Sequence, residues 1–430
     1  MQRARHEYGS STTQMVGVSS FENGLGEVLG VCALQPGLAG VFTDLLEVQP
    51  GKSAMIYLKD MPELQGKAHR DIWPAFRAGV VCGYLRRADE GGGTDAVAHT
   101  VDVDVPAECS RLCLNPSDDY VMAPGDKLVI ISQNAVQEAE RPHMMAIAPR
   151  PPLASKETST AEPTAWDMDP VCRRLVLIDC DNMLDTILET VSEFAPATMD
   201  ISVITGCDDL LTTHGECLRN RFGREGLQLT FVKGECTDQA VLQSAGIAEC
   251  DSVVIGNLQQ CSRGAIDDHD ATIVATIMLI KWIREQAMTD ISSQDTPSLH
   301  IVGLSGYKDT QLLADVLALS SSVPISVDML NLDFLMSGWI VQVAAEPEVT
   351  LVFRELLASS AGSELYVRKG HLYVQGPNDT AYFREVQYAA RRLGQTAIGF
   401  IQCESQAVLI GVSADLQVSI HDRVVVMAEA

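Results

Sequence analysis

The residues with the clearest chemical potential are acidic and amide side chains that follow an apolar run. The run Leu175-Val-Leu-Ile178 is closed by Asp179, and Asp181 and Asn182 come directly after it. Carboxylate and amide oxygens are the ligands that hard cations such as Ca²⁺ take in proteins. The alternative is that Asp181 or Asn182 only caps the helix that follows, by accepting a hydrogen bond from a free backbone amide. The sequence leaves both interpretations open.

A parallel α/β sheet is predicted to position these side chains. After the first run, the β-branched segments Ile201–Thr205, Leu227–Val232 and Cys250–Gly256 alternate with helical patterns, which is typical of βαβ units. His300–Gly303 and Pro324–Asp328 are the last strand candidates. Ligands of such sheets bind beyond the carboxyl ends of the strands. We therefore expect a cation to contact Asp179, Asp181 and Asp208, which follow the first two strands. The expected lining of this crevice is Asn182, Gly234, Thr237, Gly256 and Asn257.

A second acidic cluster precedes the predicted long helix Ala271–Arg284. It contains Asp267, Asp268 and Asp270. We name Asp267 and Asp268 as further candidate cation ligands. The alternative is structural, because negative charge stabilises the N-terminus of a helix through its dipole.

The first strand-to-helix loop does not have the pattern of a nucleotide site. A dinucleotide fold needs G-x-G-x-x-G there, so that backbone amides approach the pyrophosphate. Here Asp179 and Asp181 stand in that loop and would repel a phosphate. A phosphate-binding G-x-x-x-x-G-K-[ST] loop and a nucleophilic G-x-S-x-G elbow are also absent, and His269 and His300 have no evident relay partner. The chain is therefore predicted not to be an enzyme, with a nucleotide-binding oxidoreductase as the remaining enzymatic alternative.

Cysteine and histidine do not predict a structural zinc site. The chain has 12 Cys and 9 His but no Cys-x-x-Cys pair, and Cys207, His214 and Cys217 are too sparse for such a site. The other cysteines are scattered through apolar runs, which indicates reduced, buried thiols. Apart from possible Ca²⁺, no cofactor is predicted.

The charge of the chain excludes some partners. A net charge of -26 over 430 residues disfavours nucleic acid and anionic lipid surfaces, which both need Lys and Arg. The longest apolar candidate, Ala271–Ile283, is shorter than the ~20 residues that span a bilayer. We expect the chain as given to be soluble, without a direct membrane span.

An internal repeat indicates a duplicated module. Val41-Phe-Thr-Asp-Leu-Leu46 matches Val352-Phe-Arg-Glu-Leu-Leu357, with the phenylalanines 311 positions apart (353 − 42). Each copy ends in a turn and a strand, and the turn residues Asp126 and Asp422 stand 296 positions apart (422 − 126). The similar offsets predict one small α+β module present twice, with both aspartates in structural roles.

The predicted organisation places an α/β lobe between the two copies. The segments are a disordered N-terminus 1–22, a first module 23–136, a Pro/Ser/Thr-rich linker 137–170, an α/β lobe 171–330, an apolar crossover helix 331–348 and a second module 349–430.

Several motifs resemble a known family. Gly234-x-x-Thr-Asp238, followed by Ala245-Gly-Ile247, resembles regulator-of-potassium-conductance (RCK) domains. Cys32–Ala39, with Pro62-Glu-Leu-Gln-Gly66 and Asn115-Pro-x-Asp-Asp119, is similar to the CASTOR/POLLUX ion channels of plant nuclear envelopes. The likeness extends from about Asn23 to the C-terminus, apart from the linker.

The resemblance implies a Rossmann-like RCK N-lobe with a parallel sheet, plus two small duplicated α+β C-lobes. In that family, tandem RCK domains form a tetrameric gating ring in which a bound ligand, calcium in particular, opens a cation pore. The implied function is ligand sensing that controls ion transport. The implied partners are further copies of the chain, or channel subunits that carry a pore, on the soluble side of an organelle or nuclear membrane. Pore helices and a first RCK N-lobe have no counterpart in the chain, so we expect that it cannot conduct alone. The alternative is an RCK-type scaffold without a channel role.

Overall fold

The protein is described by a computed structural model. It describes residues 18–49, 52–86, 111–133, 172–194, 198–256, 265–287, 298–357 and 362–429. The predicted linker 137–170 and Asn257 lie outside these residues. In the described part, no helix is both long enough and apolar enough to span a membrane.

Three groups of elements follow one another along the chain. The first module contains α1 (Val18–Leu34), α2 (Leu38–Leu46), β1 (Met55–Asp60), α3 (His69–Ile72), β2 (Val80–Arg86), β3 (Arg111–Leu114) and β4 (Lys127–Ser132). The α/β lobe contains β5 (Arg174–Ile178), α4 (Leu184–Phe194), β6 (Met199–Thr205), α5 (Thr213–Phe222), β7 (Leu227–Lys233), α6 (Gln239–Ser244), β8 (Ser252–Ile255), α7 (Ala265–Ala287), β9 (Leu299–Ser305), α8 (Asp309–Leu319) and β10 (Ile325–Asn331). The second module contains α9 (Leu332–Ala345), α10 (Val349–Leu357), β11 (Ser363–Lys369), β12 (Thr380–Tyr382), α11 (Phe383–Arg392), β13 (Thr396–Ile401), β14 (Val408–Ile410), β15 (Gln417–Ser419) and β16 (Arg423–Glu429).

The α/β lobe is built on a six-stranded parallel sheet in the order β10-β9-β8-β5-β6-β7. Its strands bury apolar side chains on both faces, as parallel sheets do. Leu175 and Leu177 pack towards α4, whereas Val176 and Ile178 pack towards Ile273 of α7. The strand order reverses between β5 and β8, and this switch point is where doubly wound sheets place their ligands. The predicted α/β class is confirmed.

The two small modules share one topology, which confirms the predicted duplication. Their four-stranded antiparallel sheets have the orders β1-β4-β2-β3 and β11-β16-β13-β14, the same sequence of first, last, second and third strand. Each second strand carries a bulge at a glycine, Gly83 or Gly399. A Cβ at either position would lie within 2.2 Å of a backbone oxygen of the neighbouring strand, so only glycine fits. Two copies of one irregularity are the mark of duplication rather than chance.

The turn residues of the repeat have equivalent bonds. Asp126 accepts a hydrogen bond from the backbone amide of Ala123, and Asp422 accepts one from that of Ser419. Each bond spans three residues and fixes the turn that leads into the last strand of its sheet.

The helical hairpins are duplicated too, but they have different neighbours. A shift of 311 positions places α2 on α10 with identical bounds and the end of α1 on the end of α9. Helix α1 packs on α4, β8 and β9 of the α/β lobe. Gly26 and Gly30 permit this close approach, because a Cβ at either would lie 2.9 Å from Thr186 or Thr190 of α4.

Helix α9 packs instead on the first module. Its buried Gln342 donates to the Leu45 carbonyl at 2.7 Å, and Gly338 lies so close to Leu46 that no Cβ fits there. The opposite side of α9 exposes Ile340 and Val341.

The boundaries differ from expectation at several points. Helix α1 begins at Val18, inside the segment 1–22 that we predicted to be disordered. Helix α7 begins at Ala265, six positions before the predicted Ala271, so its first turn includes the acidic cluster.

A buried acid where the second module meets α4 makes stability depend on pH. Burial raises the pKa of Glu364 to about 7, despite the lowering effect of the hydrogen bond from Tyr366, and Glu193 of α4 adds to the rise. Between pH 5 and 7 the folded protein holds a proton that the unfolded chain has released. Stability therefore decreases as pH rises through this window.

We expect Glu364→Gln to reduce this decrease, because glutamine still accepts from Tyr366 but does not ionise. Urea unfolding at pH 5 and pH 8 measures the effect. The difference between the two pH values should shrink by up to roughly 3 kcal/mol, since one pKa unit corresponds to about 1.4 kcal/mol. Glu249→Gln, at an exposed acid, is the matched control and should leave the pH dependence unchanged. An equal loss of stability with pH in wild type and Glu364→Gln would contradict this assignment.

Candidate functional site

The candidate site lies at the switch point, where β5 and β8 end side by side. Asp179 follows β5 in a left-handed conformation (φ 51°), which aspartate tolerates better than most residues. Its backbone amide donates to the Ile204 carbonyl at 3.2 Å, and the Gly256 amide donates to the Ile178 carbonyl at 2.9 Å. A Cβ on Gly256 would lie 2.6 Å from the Asp179 carbonyl oxygen. Gly256 thus lets the acidic loop lie directly against the end of β8.

Asp181 is fixed by a neighbouring strand. One of its carboxylate oxygens, Oδ2, accepts from the Thr205 hydroxyl at 2.9 Å, and the same hydroxyl accepts from the Cys207 amide at 2.9 Å. The other oxygen, Oδ1, is buried and has no protein partner within the described residues. The bond of Asp181 therefore goes to β6 and not to a helix amide, which disfavours the capping alternative for this residue. Asn182 is exposed.

The carboxyl of Asp179 has a pKa above its usual value. Burial raises its pKa, a hydrogen bond with the Cys236 thiol lowers it, and the nearby Asp181 and Glu235 carboxylates raise it again. His269 of α7 lies close enough to lower it slightly. The side chains of Cys236 and His269 are thus parts of the site that the sequence analysis did not assign to it.

Asp208 stands apart from this pair. Its carboxylate forms an ion pair with Lys233 across the ends of β6 and β7, with 81% of its side chain exposed. Exposed pairs of this kind contribute little to stability. Asp208 lies at the rim of the crevice.

The remaining crevice residues shape the β7–α6 loop. Gly234 has a φ of 156°, and a Cβ there would lie 2.3 Å from Val241. Thr237 is exposed, and the next residue, Asp238, caps α6 by accepting from the Ala240 amide at 2.8 Å.

The second acidic cluster divides into two parts. Asp267 and Asp268 lie in the first turn of α7, and their side chains lie outside the described part. Asp270 is buried and accepts from the amides of Gly306 and Tyr307, at 2.8 and 3.0 Å, and from the Thr310 hydroxyl. Asp270 thus fixes the loop before α8.

A complete metal site is not assembled among these residues. Within the described ranges, no group of three or more His, Cys, Asp or Glu side chains is arranged to hold a metal ion. The Asp179 and Asp181 carboxylates, with the free Oδ1 of Asp181, offer hard oxygen ligands. A bound cation would have to recruit further oxygens from the loops around them.

The Thr205 hydroxyl is predicted to be the main support of Asp181. Thr205→Val removes its bonds to Asp181 and Cys207 and keeps the shape of the side chain. Unpairing buried polar groups costs about 1–3 kcal/mol. Urea unfolding should therefore detect a loss of this size, whereas Thr205→Ser, the matched control, should retain most of the stability. A valine variant as stable as wild type would contradict this role.

The sequence of the chain is similar to those of known ion channels. Residues 23–93 match the model of a family described as Castor and Pollux, part of voltage-gated ion channel. The chain is 23% identical over 410 residues to the ion channel POLLUX of Lotus japonicus, covering 91% of this chain and 40% of that protein. It is 22% identical over 403 residues to the ion channel CASTOR of the same plant, covering 90% of this chain and 43% of that protein. The chain thus spans less than half the length of these relatives.

The fold has a solved counterpart. The structure of the human SLO3 gating ring matches 95% of this chain and 75% of that chain, with a TM-score of 0.57 and 11% sequence identity. At this identity the match establishes the fold alone. The family and the relatives named above are ion channels or parts of them and not enzymes, which confirms the prediction that the chain is not an enzyme. The chain is therefore similar to the CASTOR/POLLUX ion channels and has the RCK gating-ring fold.

Proposed function

We propose that this chain is the regulatory gating-ring module of a CASTOR/POLLUX-like cation channel, and that Ca²⁺ binding to it controls ion transport. The observation that carries the proposal is the similarity to these channels over nine-tenths of the chain. A gating-ring fold with an acidic switch-point crevice supports it. The module acts beside pore segments, on the soluble side of an organelle or nuclear membrane.

The proposed Ca²⁺ site is the crevice of Asp179 and Asp181. Two carboxylates at one switch point attract a cation, and the unpartnered Oδ1 of Asp181 gains a ligand when the cation binds. Asp208 supplies further negative charge at the rim, and Asp267 and Asp268 remain proposed ligands whose side chains lie outside the described part. The proposed lining is Asn182, Gly234, Thr237 and Gly256, together with Asn257, which follows Gly256 in the sequence and lies outside the described residues. Because the ligand set is incomplete in the described arrangement, closure of the loops around Ca²⁺ is the conformational change that the ion would favour.

The proposed partners are further copies of the chain, arranged as a ring of four, or subunits that carry the pore. Helices α7 and α8 expose apolar side chains next to each other on the outer face of the α/β lobe, namely Met278, Trp282, Leu312, Leu313, Val316 and Leu319. Leu319 alone is 86% exposed. Contiguous apolar surface of this kind marks interaction sites. We assign this α7–α8 face to contacts between copies.

Calorimetric titration with CaCl₂ tests the sensing proposal. We expect saturable binding in the full chain and a loss of at least tenfold in affinity in Asp179→Asn/Asp181→Asn. Asparagine is chosen because it tolerates the left-handed conformation at position 179. Asp200→Asn/Glu249→Gln is the charge-matched control, since these two acids are exposed near the starts of β6 and β8, at the opposite edge of the sheet. Affinity should increase between pH 5 and pH 8, because a proton on Asp179, whose pKa is raised, competes with the ion.

No calcium binding in the wild-type chain would overturn the sensing proposal and leave the scaffold alternative. Binding that is unchanged in Asp179→Asn/Asp181→Asn would keep a calcium sensor but place its site elsewhere.

Assembly has its own test. Light scattering coupled to size exclusion should detect an oligomer in the wild-type chain and a shift towards monomer in Leu312→Glu/Val316→Glu. The matched control, Leu393→Glu/Leu416→Glu, changes two exposed leucines of the second module and should leave the mass unchanged. Circular dichroism should be the same for all three proteins, because these side chains are exposed. A monomeric wild type at all concentrations would contradict assembly through copies of this chain alone.

A further inference from the structure

The contact between the two small modules leaves a small, partly open cavity that the proposed sensor does not use. Elements α3, β2, α11 and β13 surround it, and its volume is about 10 Å³. The lining includes His69 and Trp73 from the first module and Gln387, Arg391 and Thr396 from the second. A cavity of roughly 10–15 Å³ holds one water-sized molecule if two to four polar groups face it.

Two buried nitrogens that line the cavity have no protein partner in the described part of the chain. They are His69 Nε2 and Trp73 Nε1. His69 is fully buried and Trp73 is 8% exposed, so bulk water does not serve either group. A buried polar atom without a partner costs about 1–3 kcal/mol. Two such atoms at one small cavity indicate a shared ligand.

The surrounding bonds determine what that ligand must offer. Tyr84 lies 2.9 Å from His69 Nδ1 through its hydroxyl, which has no other partner within the described residues. Burial, helped by the positive charge of Arg391, lowers the pKa of His69 to about 3, so its ring is neutral and carries one proton. If Tyr84 donates to Nδ1, both groups are satisfied and the ring proton lies on Nε2. His69 Nε2 and Trp73 Nε1 are then both donors.

The wall formed by the second module favours the same ligand. The Arg391 guanidinium donates to Asp118, Asn115, Thr396 and the Pro116 carbonyl, so that each of its three nitrogens already has a partner. It is thus held in place and contributes positive potential to the cavity. Gln387 is buried, and its side-chain NH₂ group can donate a hydrogen bond to an acceptor in the cavity. We propose that the cavity binds one water-sized hydrogen-bond acceptor, a water molecule or a halide ion, which accepts from His69 and Trp73 of the first module and lies between them and the wall formed by the second module.

The ligand completes a contact that is otherwise built from side chains. The Trp73 ring packs edge-on against Tyr388 with centroids 4.7 Å apart. Asn115 donates to the Gly394 carbonyl at 2.7 Å and accepts from Thr396 at 2.7 Å. A polar network of this kind is stable only if each member is satisfied, which is why the acceptor matters.

Indole NMR of the ¹⁵N-tryptophan-labelled full chain tests the proposal. Trp73→Phe identifies the Trp73 signal, and if that variant does not fold, phenylalanine at Trp166, Trp282 and Trp339 assigns it by elimination. We expect the Trp73 N–H to resonate downfield and to exchange slowly with solvent, in contrast to the half-exposed Trp282. An upfield signal typical of an unbonded indole N–H would overturn the proposal.

Halide exchange distinguishes the two sources of the acceptor. Spectra and thermal unfolding are compared in sodium gluconate, chloride and bromide at equal ionic strength. A Trp73 signal and a Tm that change with the halide, together with an anomalous bromide peak in crystals, assign a halide. A downfield Trp73 signal that is the same in all three salts assigns water. Neither test uses calcium or assembly, so their outcome is independent of the proposed sensor function.

Discussion

One turn, Gln35-Pro36-Gly37, holds the three parts of the molecule together. The Gly37 amide donates at 2.7 Å to Asp328, which lies on β10 of the α/β lobe. Arg423 of the second module donates at 2.7 Å to the Pro36 carbonyl, and the Gln35 side chain accepts from the Val367 amide at 2.9 Å. The turn itself belongs to the hairpin α1–α2 of the first module. The sheet of the α/β lobe and the four-stranded sheet of the second module are thus both tied to three residues of the first module.

The charges around this turn explain why it restricts movement of the α/β lobe relative to the two modules. Burial alone would raise the pKa of Asp328, but the hydrogen bond from His300, the Gly37 amide and the charge of Arg423 together hold it below its usual value. Asp328 has 20% of its side chain exposed, so the cost of removing one of its partners lies below the ~3–5 kcal/mol found for fully buried pairs. Gly37 is required as well, since its φ is 87° and a Cβ would lie 2.9 Å from Ile401. Movement of the α/β lobe relative to the modules must therefore occur about this turn or break it.

Duplication gives the molecule two equivalent hairpins, and their surroundings are not equivalent. Hairpin α1–α2 is covered by the α/β lobe through Gly26 and Gly30. Hairpin α9–α10 holds the first module through Gln342 and leaves Ile340 and Val341 exposed. The two copies of the helical hairpin therefore pack against their neighbours through different sides. This asymmetry and the exposed α7–α8 face agree with a module that functions within a larger assembly.

Much of this architecture could be predicted from local patterns, whereas the site could not be predicted in detail. The positions of β5 and β6 could be predicted because a short apolar run is by itself typical of a buried strand. The repeat could be detected because its two copies keep nearly the same spacing along the chain. The partner of Asp181 is Thr205, that of Asp179 is Cys236 and that of Asp208 is Lys233. Each pair joins side chains from the ends of different strands or from the loops after them. Only the strand order brings these positions together. Sequence spacing indicated which carboxylates share an edge of the sheet but not which of them face one another.

An aspartate in place of the glycine of nucleotide-binding loops changes the charge of the switch-point crevice. Asp179 keeps the left-handed backbone that a glycine would provide, so the loop retains its shape while gaining a carboxylate. Burial then favours the protonated form of that carboxylate, and Asp181 beside it adds to the effect. The proposed cation would replace the proton and relieve the repulsion between the two acids. Because relief of repulsion is available only to a ligand of positive charge, the ligand that we propose for this crevice is a cation and not a pyrophosphate.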